Sequence, residues 1–196
     1  MDAGNGPLLD SIEEEALADC VPIIRRETSA FLKTLIALKR PQSILEVGTA
    51  VGYSALLMSR VMPENCRITT IEKYEKRIPI AKRNFERAGK EPCITLLEGD
   101  AEEILGTLSG PYDFIFMDAA KGQYMHWLPQ ILRLLPSGGV LLSDNVLQDG
   151  DIVESRFAVQ RRNRRMRDYL YELTHMKEFE TSVIPIGDGV ALSVKR

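Results

Sequence analysis

The sequence has few of the residues that cross-link a protein or hold a zinc ion. Its three cysteines, Cys20, Cys66 and Cys93, are odd in number and widely spaced. They match neither a disulfide framework nor a zinc-binding pattern, so we expect a reducing, cytoplasmic location. The two histidines have no third group at the spacing of a triad or a zinc site, and we expect no catalytic role for either.

Long apolar runs and an excess of one charge are also missing. No segment approaches the length of a membrane span, so we expect no membrane partner. The net charge of -3 argues against binding of nucleic acid by the chain as a whole, although a local basic patch is compatible with it. The length of 196 residues and the 44% hydrophobic content predict a single globular domain over residues 1–196.

What the sequence does contain is an alternation of short apolar runs with helical segments. Residues 1–40 read as an N-terminal helical cap, with helices over 8–19 and 27–39. Short strands begin at Ser43 and continue over 68–72, 94–97, 112–117 and 140–143. This order predicts an α/β, Rossmann-like, doubly wound parallel sheet. Residues 183–186 and 190–194, joined by Gly-Asp-Gly, predict a final antiparallel hairpin.

Polar residues follow five of the predicted strands. They are Glu46 with Gly48, Glu72, Asp100, Asp118, and Asp144 with Asn145. Ligands of parallel α/β sheets bind beyond the carboxyl ends of the strands. The repeated pattern therefore predicts a pocket lined by these side chains.

The turn after the first strand narrows the class of ligand. Gly48 and Gly52 flank it, and Thr49 occupies the position of the middle glycine in a dinucleotide-binding turn. The close backbone approach that a pyrophosphate needs is therefore not provided. Glu72 is placed to accept hydrogen bonds from ribose hydroxyls. A nucleoside without a pyrophosphate fits the turn better than NAD, although glycines also mark ordinary turns.

Several segments together resemble a known family. ILEVGTAVGYSA, Glu72, GDA at 99–101, DAAKGQY at 118–124 and SDNV at 143–146 look like the class I, S-adenosylmethionine-dependent, metal-dependent O-methyltransferases of the catechol type. The segments VPIIRRETSAFL, DNVLQDG and VIPIGDGVALS are similar to the bacterial branch that methylates 5-hydroxyuridine at the wobble position of tRNA. The resemblance covers nearly the whole chain.

This resemblance implies a fold and a set of site residues. The fold is a seven-stranded sheet, mostly parallel, with one antiparallel strand near the C-terminus. The residues implied around the methionine part of S-adenosylmethionine are Glu46, Gly48, Thr49, Tyr53 and Ser54. Glu72 would hold the ribose, and Asp100 and Ala101 would border the adenine, with Asp118 also at the cofactor site. Family members often form homodimers, and we expect one here.

The resemblance also implies the reacting groups. Asp118, Asp144 and Asn145 would bind a divalent cation, and Lys121 would be the general base beside Asp118. Two carboxylates and an amide oxygen are hard ligands that suit Mg²⁺. The alternative is that these acids cap a helix and form an Asx turn, and that Lys121 is a surface lysine.

A run of arginines bears on the acceptor. Six arginines lie between 156 and 167, and on a helix with Met166, Leu170 and Leu173 facing inward, Arg161, Arg164 and Arg165 would face outward. Arg25 and Arg26 could extend this patch. Arginine suits phosphate recognition, which points to RNA. A solvated helix face balanced by nearby acids is the alternative.

Three functions follow from these observations. The first is methylation of 5-hydroxyuridine in the tRNA anticodon region. The second is a small-molecule catechol or caffeoyl-type O-methyltransferase with the same divalent-metal chemistry. The third is a non-catalytic nucleoside-binding protein, which the joint presence of Asp118, Lys121, Asp144 and Asn145 disfavours.

Overall fold

The computed structural model of the chain describes residues 4–147 and 161–196, and for residues 161–164 it describes the helix without the side chains. The helices are α1 Pro7–Ala18, α2 Arg26–Lys39, α3 Tyr53–Ser59, α4 Ile78–Arg87, α5 Ala101–Thr107, α6 Tyr124–Leu134 and α7 Arg161–His175. The strands are β1 Ser43–Val47, β2 Arg67–Glu72, β3 Ile94–Glu98, β4 Phe114–Met117, β5 Val140–Ser143, β6 Phe179–Ile184 and β7 Val190–Lys195. A 3₁₀ turn, Lys121–Gln123, precedes α6.

The strands form one seven-stranded sheet in the order β3-β2-β1-β4-β5-β7-β6. Strands β1 to β5 pair in parallel, whereas β7 is antiparallel to both of its neighbours. The predicted fold, with one antiparallel strand near the C-terminus, is confirmed. The chain builds outward from β1 in one direction and then returns to build from β4 in the other. A crevice at this switch point is where ligands of open α/β sheets bind.

The central strands are apolar throughout because both faces of the sheet are covered. In β4, Phe114 and Phe116 pack on the side of α1 to α4, and Ile115 and Met117 pack on the side of α5 to α7. All four side chains are fully buried. Burial of each such side chain contributes about 2 kcal/mol to the hydrophobic stabilisation. The alternation of faces fixes the register of the strand.

The N-terminal segment folds as two helices against the first cluster. Leu9 and Ile12 of α1 and Leu32 and Ile36 of α2 are buried there. Asn5 is also buried, and its side chain donates a hydrogen bond to the hydroxyl of Tyr53 at 3.0 Å. The helical cap therefore contacts the start of α3, beside the glycine turn. Among the described residues, no helix is both long enough and apolar enough to cross a bilayer.

The one strand that was predicted poorly is β6, which covers 179–184 and not 183–186. It is an edge strand, and its exposed residues, such as Glu180 and Ser182, break the apolar run that sequence patterns detect. Its position is set by pairing with β7, from Phe179 opposite Lys195 to Ile184 opposite Val190. The residues after Ile184 belong to the turn, because the amide of Ile186 donates to the carbonyl of Ile184 at 2.9 Å.

Candidate active site

A cavity of about 500 Å³ lies at the carboxyl edge of the sheet, at the switch point between β1 and β4. Eight of the nine residues predicted for the cofactor line it: Gly48, Thr49, Tyr53, Ser54, Glu72, Asp100, Ala101 and Asp118. The ninth, Glu46, is fully buried just beneath. Lys121 and Asn145 line the same cavity. Its volume is within the range of small-ligand sites.

The glycine turn requires its glycines for close packing. Gly48 has φ 107°, and a β-carbon there would overlap the backbone carbonyl of Asp118. Gly52 has φ 86°, and a β-carbon there would lie 2.6 Å from the ring of Phe85. The first glycine thus lets the β1 turn touch the end of β4. This contact brings the predicted cofactor turn next to the predicted reacting residues.

Glu72 is held rigidly by backbone amides at the end of β2. One carboxylate oxygen accepts from the amide of Ala50 at 2.7 Å, and the other accepts from Lys73 at 3.0 Å and Tyr74 at 2.8 Å. Ala50 belongs to the glycine turn, so Glu72 joins two strand ends. The orientation of the carboxylate toward the cavity is fixed before any ligand binds.

Glu46 lies in a buried chain of hydroxyls below the cavity floor. Its two oxygens accept from Ser54 at 2.5 Å and from Thr70 at 2.5 Å, and Thr70 contacts the hydroxyl of Thr49 at 2.6 Å. Burial raises the pKa of Glu46 to about 7, although the two hydroxyl donors oppose this shift. Ser54 and Thr49 line the cavity, so Glu46 orients groups that a ligand would meet.

Asp100 closes the other end of the cavity. Its side chain caps α5 by accepting from the amide of Glu102 at 2.9 Å, and it accepts from Lys73 at 3.2 Å. The helix-capping bond, followed by the lysine, lowers the pKa of Asp100. The acid is therefore ionised and has a structural role as well as a place in the cavity wall.

Asp118, Asp144 and Asn145 come together where β4 and β5 end. The amide nitrogen of Asn145 donates to Asp118 at 3.1 Å and to Asp144 at 3.2 Å, so one side chain bridges the two carboxylates. Asn145 has φ 59°, a left-handed conformation that asparagine tolerates better than most residues. The second oxygen of Asp144, Oδ1, is buried and has no hydrogen-bond partner among the described residues.

The two carboxylates raise each other's cost of ionisation. Burial raises the pKa of Asp144 to about 7, with a further contribution from Asp118. Burial also raises the pKa of Asp118, against which the positive charge of Lys121 and the bond from Asn145 act. Burial and the repulsion between acids therefore oppose ionisation of the carboxylates at this end of the cavity.

Lys121 stands at the start of the 3₁₀ turn that follows β4. Its position next to Asp118 follows from the sequence spacing and the sharp turn between strand and helix. Tyr124 fixes this turn, because its buried hydroxyl donates to the carbonyl of Met117 at 3.0 Å and accepts from the amide of Ala119 at 3.2 Å.

The sequence did not predict that Asp188 belongs to the site. It also did not predict that Arg25 pairs with Asp188. Asp188 lies between Gly187 and Gly189 in the β6–β7 turn and lines the cavity. Arg25 lines the cavity as well and forms two contacts with Asp188, at 3.0 Å and 2.5 Å. Because β7 is antiparallel, its amino end lies at the carboxyl edge of the parallel strands. In a predicted antiparallel hairpin, the residue that precedes the second strand is therefore also a candidate for this edge, and this reasoning would have identified Asp188.

The predicted arginine patch is described only in part. Arg161 and Arg164 lie in α7, but their side chains are outside the described residues, as is the whole of Arg156. Arg165 is exposed, Arg25 pairs with Asp188, and Arg26 contacts Glu13 at 2.9 Å. The inward face of α7 consists of Met166, Tyr169 and Leu173, all fully buried, with Leu170 partly buried.

Among the described residues, no group of three or more histidine, cysteine, aspartate or glutamate side chains is arranged to hold a metal ion. The predicted set consists of two aspartates and one asparagine, and in the structure the amide nitrogen of Asn145 faces both carboxylates. Rotation of the amide by half a turn exchanges this donor for an oxygen ligand. The orphaned oxygen of Asp144 and the hard donor set fit a divalent cation.

Comparison with known proteins agrees with the fold. A family model described as O-methyltransferase matches residues 5–196. A catechol O-methyltransferase of Niastella koreensis is 38% identical over 128 residues, which cover 63% of this chain and 58% of that protein. Caffeoyl-CoA O-methyltransferase 2 of Populus trichocarpa is 32% identical over 177 residues, covering 83% of this chain and 70% of the relative.

A solved structure gives the same result. A Staphylococcus aureus protein assigned as a caffeoyl-CoA O-methyltransferase superposes with a TM-score of 0.90 at 32% identity, covering 97% of this chain and 93% of the other. The prediction of an O-methyltransferase of the catechol and caffeoyl-CoA type is confirmed at the level of the family. The chain belongs to the O-methyltransferase family.

Proposed function

We propose that this protein transfers a methyl group from S-adenosylmethionine to the 5-hydroxyl of 5-hydroxyuridine at the wobble position of tRNA, giving 5-methoxyuridine. One observation carries the chemical part of the proposal. The buried carboxylate of Asp144, which has one oxygen without a hydrogen-bond partner among the described residues, and the partly buried carboxylate of Asp118 lie next to Lys121 at one end of a cavity of about 500 Å³. Family membership supports the reaction type.

The cofactor occupies the end of the cavity formed by β1, β2 and the start of α5. Glu72 accepts a hydrogen bond from a ribose hydroxyl through Oε2, because Oε2 accepts only the amide of Ala50 and keeps a lone pair, whereas Oε1 already accepts two amides. Ser54 and Thr49, held by the chain of hydroxyls from Glu46, meet the methionine part. Asp100 and Ala101 border the adenine at the start of α5.

Asp118, Asp144 and the amide oxygen of Asn145 would hold a divalent cation, for which Mg²⁺ is the natural candidate. When bound, such a cation lowers the pKa of a hydroxyl beside it and fixes its orientation. A further argument is electrostatic, since burial and the neighbouring Asp118 raise the pKa of Asp144 to about 7, and a bound cation would offset that cost of ionisation. The site of the acceptor is therefore the end of the cavity between Asn145 and Lys121.

Lys121 acts as the general base of the reaction in its neutral form, which a divalent cation bound beside it would favour over the ammonium. Its amine accepts the proton of the acceptor hydroxyl, the hydroxyl oxygen forms the bond to the methyl carbon, and the bond from that carbon to the cofactor sulfur breaks. The products are a methyl ether and S-adenosylhomocysteine, with the proton on the lysine. The proximity of the base and the acceptor supplies part of the rate enhancement, and the proton transfer contributes about 10²- to 10⁴-fold.

Two features favour an RNA acceptor over a small molecule. The segments before β1, after β5 and at the β6–β7 turn resemble the tRNA-modifying branch. The sequence also places five arginines among the first seven residues of α7, in a chain whose net charge is -3. The base of 5-hydroxyuridine carries two neighbouring oxygens, O5 and O4, which is the same chelating geometry that a catechol offers.

Nucleoside analysis of a strain that lacks the gene tests the acceptor. We expect 5-methoxyuridine to disappear from its tRNA and 5-hydroxyuridine to accumulate. Purified protein with S-adenosylmethionine and Mg²⁺ should then restore 5-methoxyuridine in the isolated tRNA. An unchanged nucleoside profile would contradict the proposal.

A small-molecule catechol or caffeoyl-type acceptor is the second candidate. Relatives named as catechol and caffeoyl-CoA O-methyltransferases favour it, at 38% and 32% identity. It predicts methylation of free catechols with no change in tRNA. In either case the protein is predicted to be a cytoplasmic homodimer. Analytical ultracentrifugation of the purified protein tests the predicted dimer.

A further inference from the structure

Helix α7 is fixed to the reacting end of the cavity by its buried aromatic residue. The hydroxyl of Tyr169 lies 2.6 Å from that of Ser143, the last residue of β5 before Asp144. The ring of Tyr169 also meets that of Tyr124 edge-on, with centroids 5.4 Å apart. Tyr124 in turn holds the turn after β4. The position of α7 relative to Lys121 is therefore set by core contacts.

Arg165 stands one helical turn before Tyr169 and lies on Gly122, the residue after Lys121. A β-carbon on Gly122 would be 3.0 Å from the Nη1 atom of Arg165 and 3.7 Å from its Cδ atom. The side chain of Arg165 is exposed. Among residues whose side chains the structure describes, none forms an ion pair or a hydrogen bond with it. Its guanidinium donors are thus presented at the edge of the Lys121 turn.

Arg25 differs from Arg165 in this respect. Arg25 lines the cavity, but two of its nitrogens already contact Asp188. A guanidinium engaged by a carboxylate has fewer donors left for a ligand. Of the two, Arg165 is the better suited to bind an incoming anion.

We propose that Arg165 binds the phosphate next to the nucleotide whose base reaches Lys121, and that Gly122 leaves room for the guanidinium there. This inference rests on the proposed function, because it requires a nucleotide acceptor. In a nucleotide, one sugar separates the base from its phosphate, so a base at Lys121 brings the phosphate to the rim of the cavity. An unphosphorylated catechol has no group for this contact. Arg165 is therefore a specificity-determining residue.

Steady-state kinetics with two acceptors test the inference. The acceptors are an anticodon stem–loop RNA that contains 5-hydroxyuridine, and catechol. We expect Arg165→Ala to raise the KM for the RNA about 10-fold relative to the KM for catechol, as loss of a charge-assisted hydrogen bond predicts. Arg165→Lys should recover part of this loss, because it keeps the charge but not the fork. The slope of log KM against log salt should fall by about 0.7, the value for one contact to a single strand.

Lys177→Ala is the matched control. Lys177 is exposed and lies beyond the end of α7, about 15 Å or more from Arg165 along the helix axis. Lys177→Ala removes one positive charge, as Arg165→Ala does, and the KM for the RNA should change less than about 2-fold. Gly122→Ala gives a second variant, since its methyl group displaces Arg165. The increase in KM that Gly122→Ala causes in the wild-type background should shrink in the Arg165→Ala background.

The outcomes separate this inference from the proposed function. If the wild-type protein methylates catechol but not the RNA, both fall together before any variant is made. If it methylates the RNA and Arg165→Ala leaves the ratio of the two KM values unchanged, only the inference falls. An equal loss with both acceptors would also overturn it, because it would give Arg165 a structural role.

Discussion

The two ends of the cavity treat their carboxylates in opposite ways. At the cofactor end, Glu72 and Asp100 accept hydrogen bonds from backbone amides close to them in the fold. At the acceptor end, Asp118 and Asp144 share a single amide group, and Oδ1 of Asp144 has no partner among the described residues. The first end is complete as folded. The second leaves one buried carboxylate oxygen without a partner among the described residues.

The difference has a physical origin in the backbone. The amides around Glu72 belong to a turn and a strand end that present unpaired N–H groups. The ends of β4 and β5 present side chains in place of amides, and those side chains are acidic. Burial, with a further contribution from Asp118, raises the pKa of Asp144 to about 7, although the backbone amide of Asn145 and the charge of Lys121 oppose this shift. Such a site loses stability in order to bind its ligand.

Replacement of Lys121 should have the largest effect on the difference between the two ends of the cavity. We expect Lys121→Met to lower kcat by about 100-fold or more, because the acceptor hydroxyl loses its base. Affinity for S-adenosylmethionine, measured by calorimetry, should stay within about 2-fold, since the cofactor end is separate. Near-normal turnover in this variant would remove Lys121 from the reaction.

Neutralising Asp144 should trade activity for stability. A carboxyl whose pKa is raised on folding stabilises the folded state at low pH and loses that contribution as the pH rises through its folded pKa. With the pKa of Asp144 at about 7, Asp144→Asn should melt at about the wild-type temperature at pH 4 and several degrees above it at pH 8, without metal.

The same variant should no longer respond to Mg²⁺. Thermal unfolding at pH 8 measures this, with wild-type protein stabilised by Mg²⁺ and returned to its lower melting temperature by a chelator. Asp19→Asn is the control, because Asp19 is exposed at the end of α1 and should keep the full Mg²⁺ response. An equal response in Asp144→Asn would argue against a cation at this end.

At the cofactor end, replacement of one carboxylate oxygen of Glu72 by an NH₂ group should lower the affinity for S-adenosylmethionine. Both of its oxygens accept from backbone amides, so Glu72→Gln must place an NH₂ group against an N–H group in either orientation. We expect affinity for S-adenosylmethionine to fall about 10-fold. Glu98 pairs with Glu72 in register on β3 and is half-exposed. Glu98→Gln should change affinity less than about 2-fold, and equal losses would contradict the assignment.

The smallest expected effect is that of replacing Glu46. Like Asp144, Glu46 is buried, but both of its oxygens accept hydrogen bonds from hydroxyl groups. Its pKa of about 7 in the fold exceeds the ordinary value of 4.5. The stability that its neutral form contributes is complete below pH 4.5 and is lost as the pH rises to about 7. Glu46→Gln should therefore raise the melting temperature relative to wild type by about 5 °C at pH 8 and by little at pH 4. Glu86→Gln, on the exposed face of α4, should show no such pH dependence.

Much of the site was predictable because parallel strands end at one edge. Glu72, Asp100 and Asp118 were all placed in one pocket from their positions after apolar runs, and each lines the cavity. Asp188 was not predicted to line this pocket. The prediction considered only residues that follow a strand, whereas Asp188 precedes the antiparallel strand β7. Edge strand β6 was misplaced by four residues at its start, since half-exposed strands give a weak apolar signal.

The sequence by itself determined the strands, their polar ends and the glycine turn, because these depend on local residue order and on periodicity. Its resemblance to a known family indicated the reaction class. Only the tertiary structure decided that Asn145 bridges two carboxylates, that Arg25 pairs with Asp188, and that Arg165 lies on Gly122. Each of these contacts joins segments that are distant along the chain. Their geometry depends on how the sheet is ordered and how α7 packs on it, which local patterns do not encode.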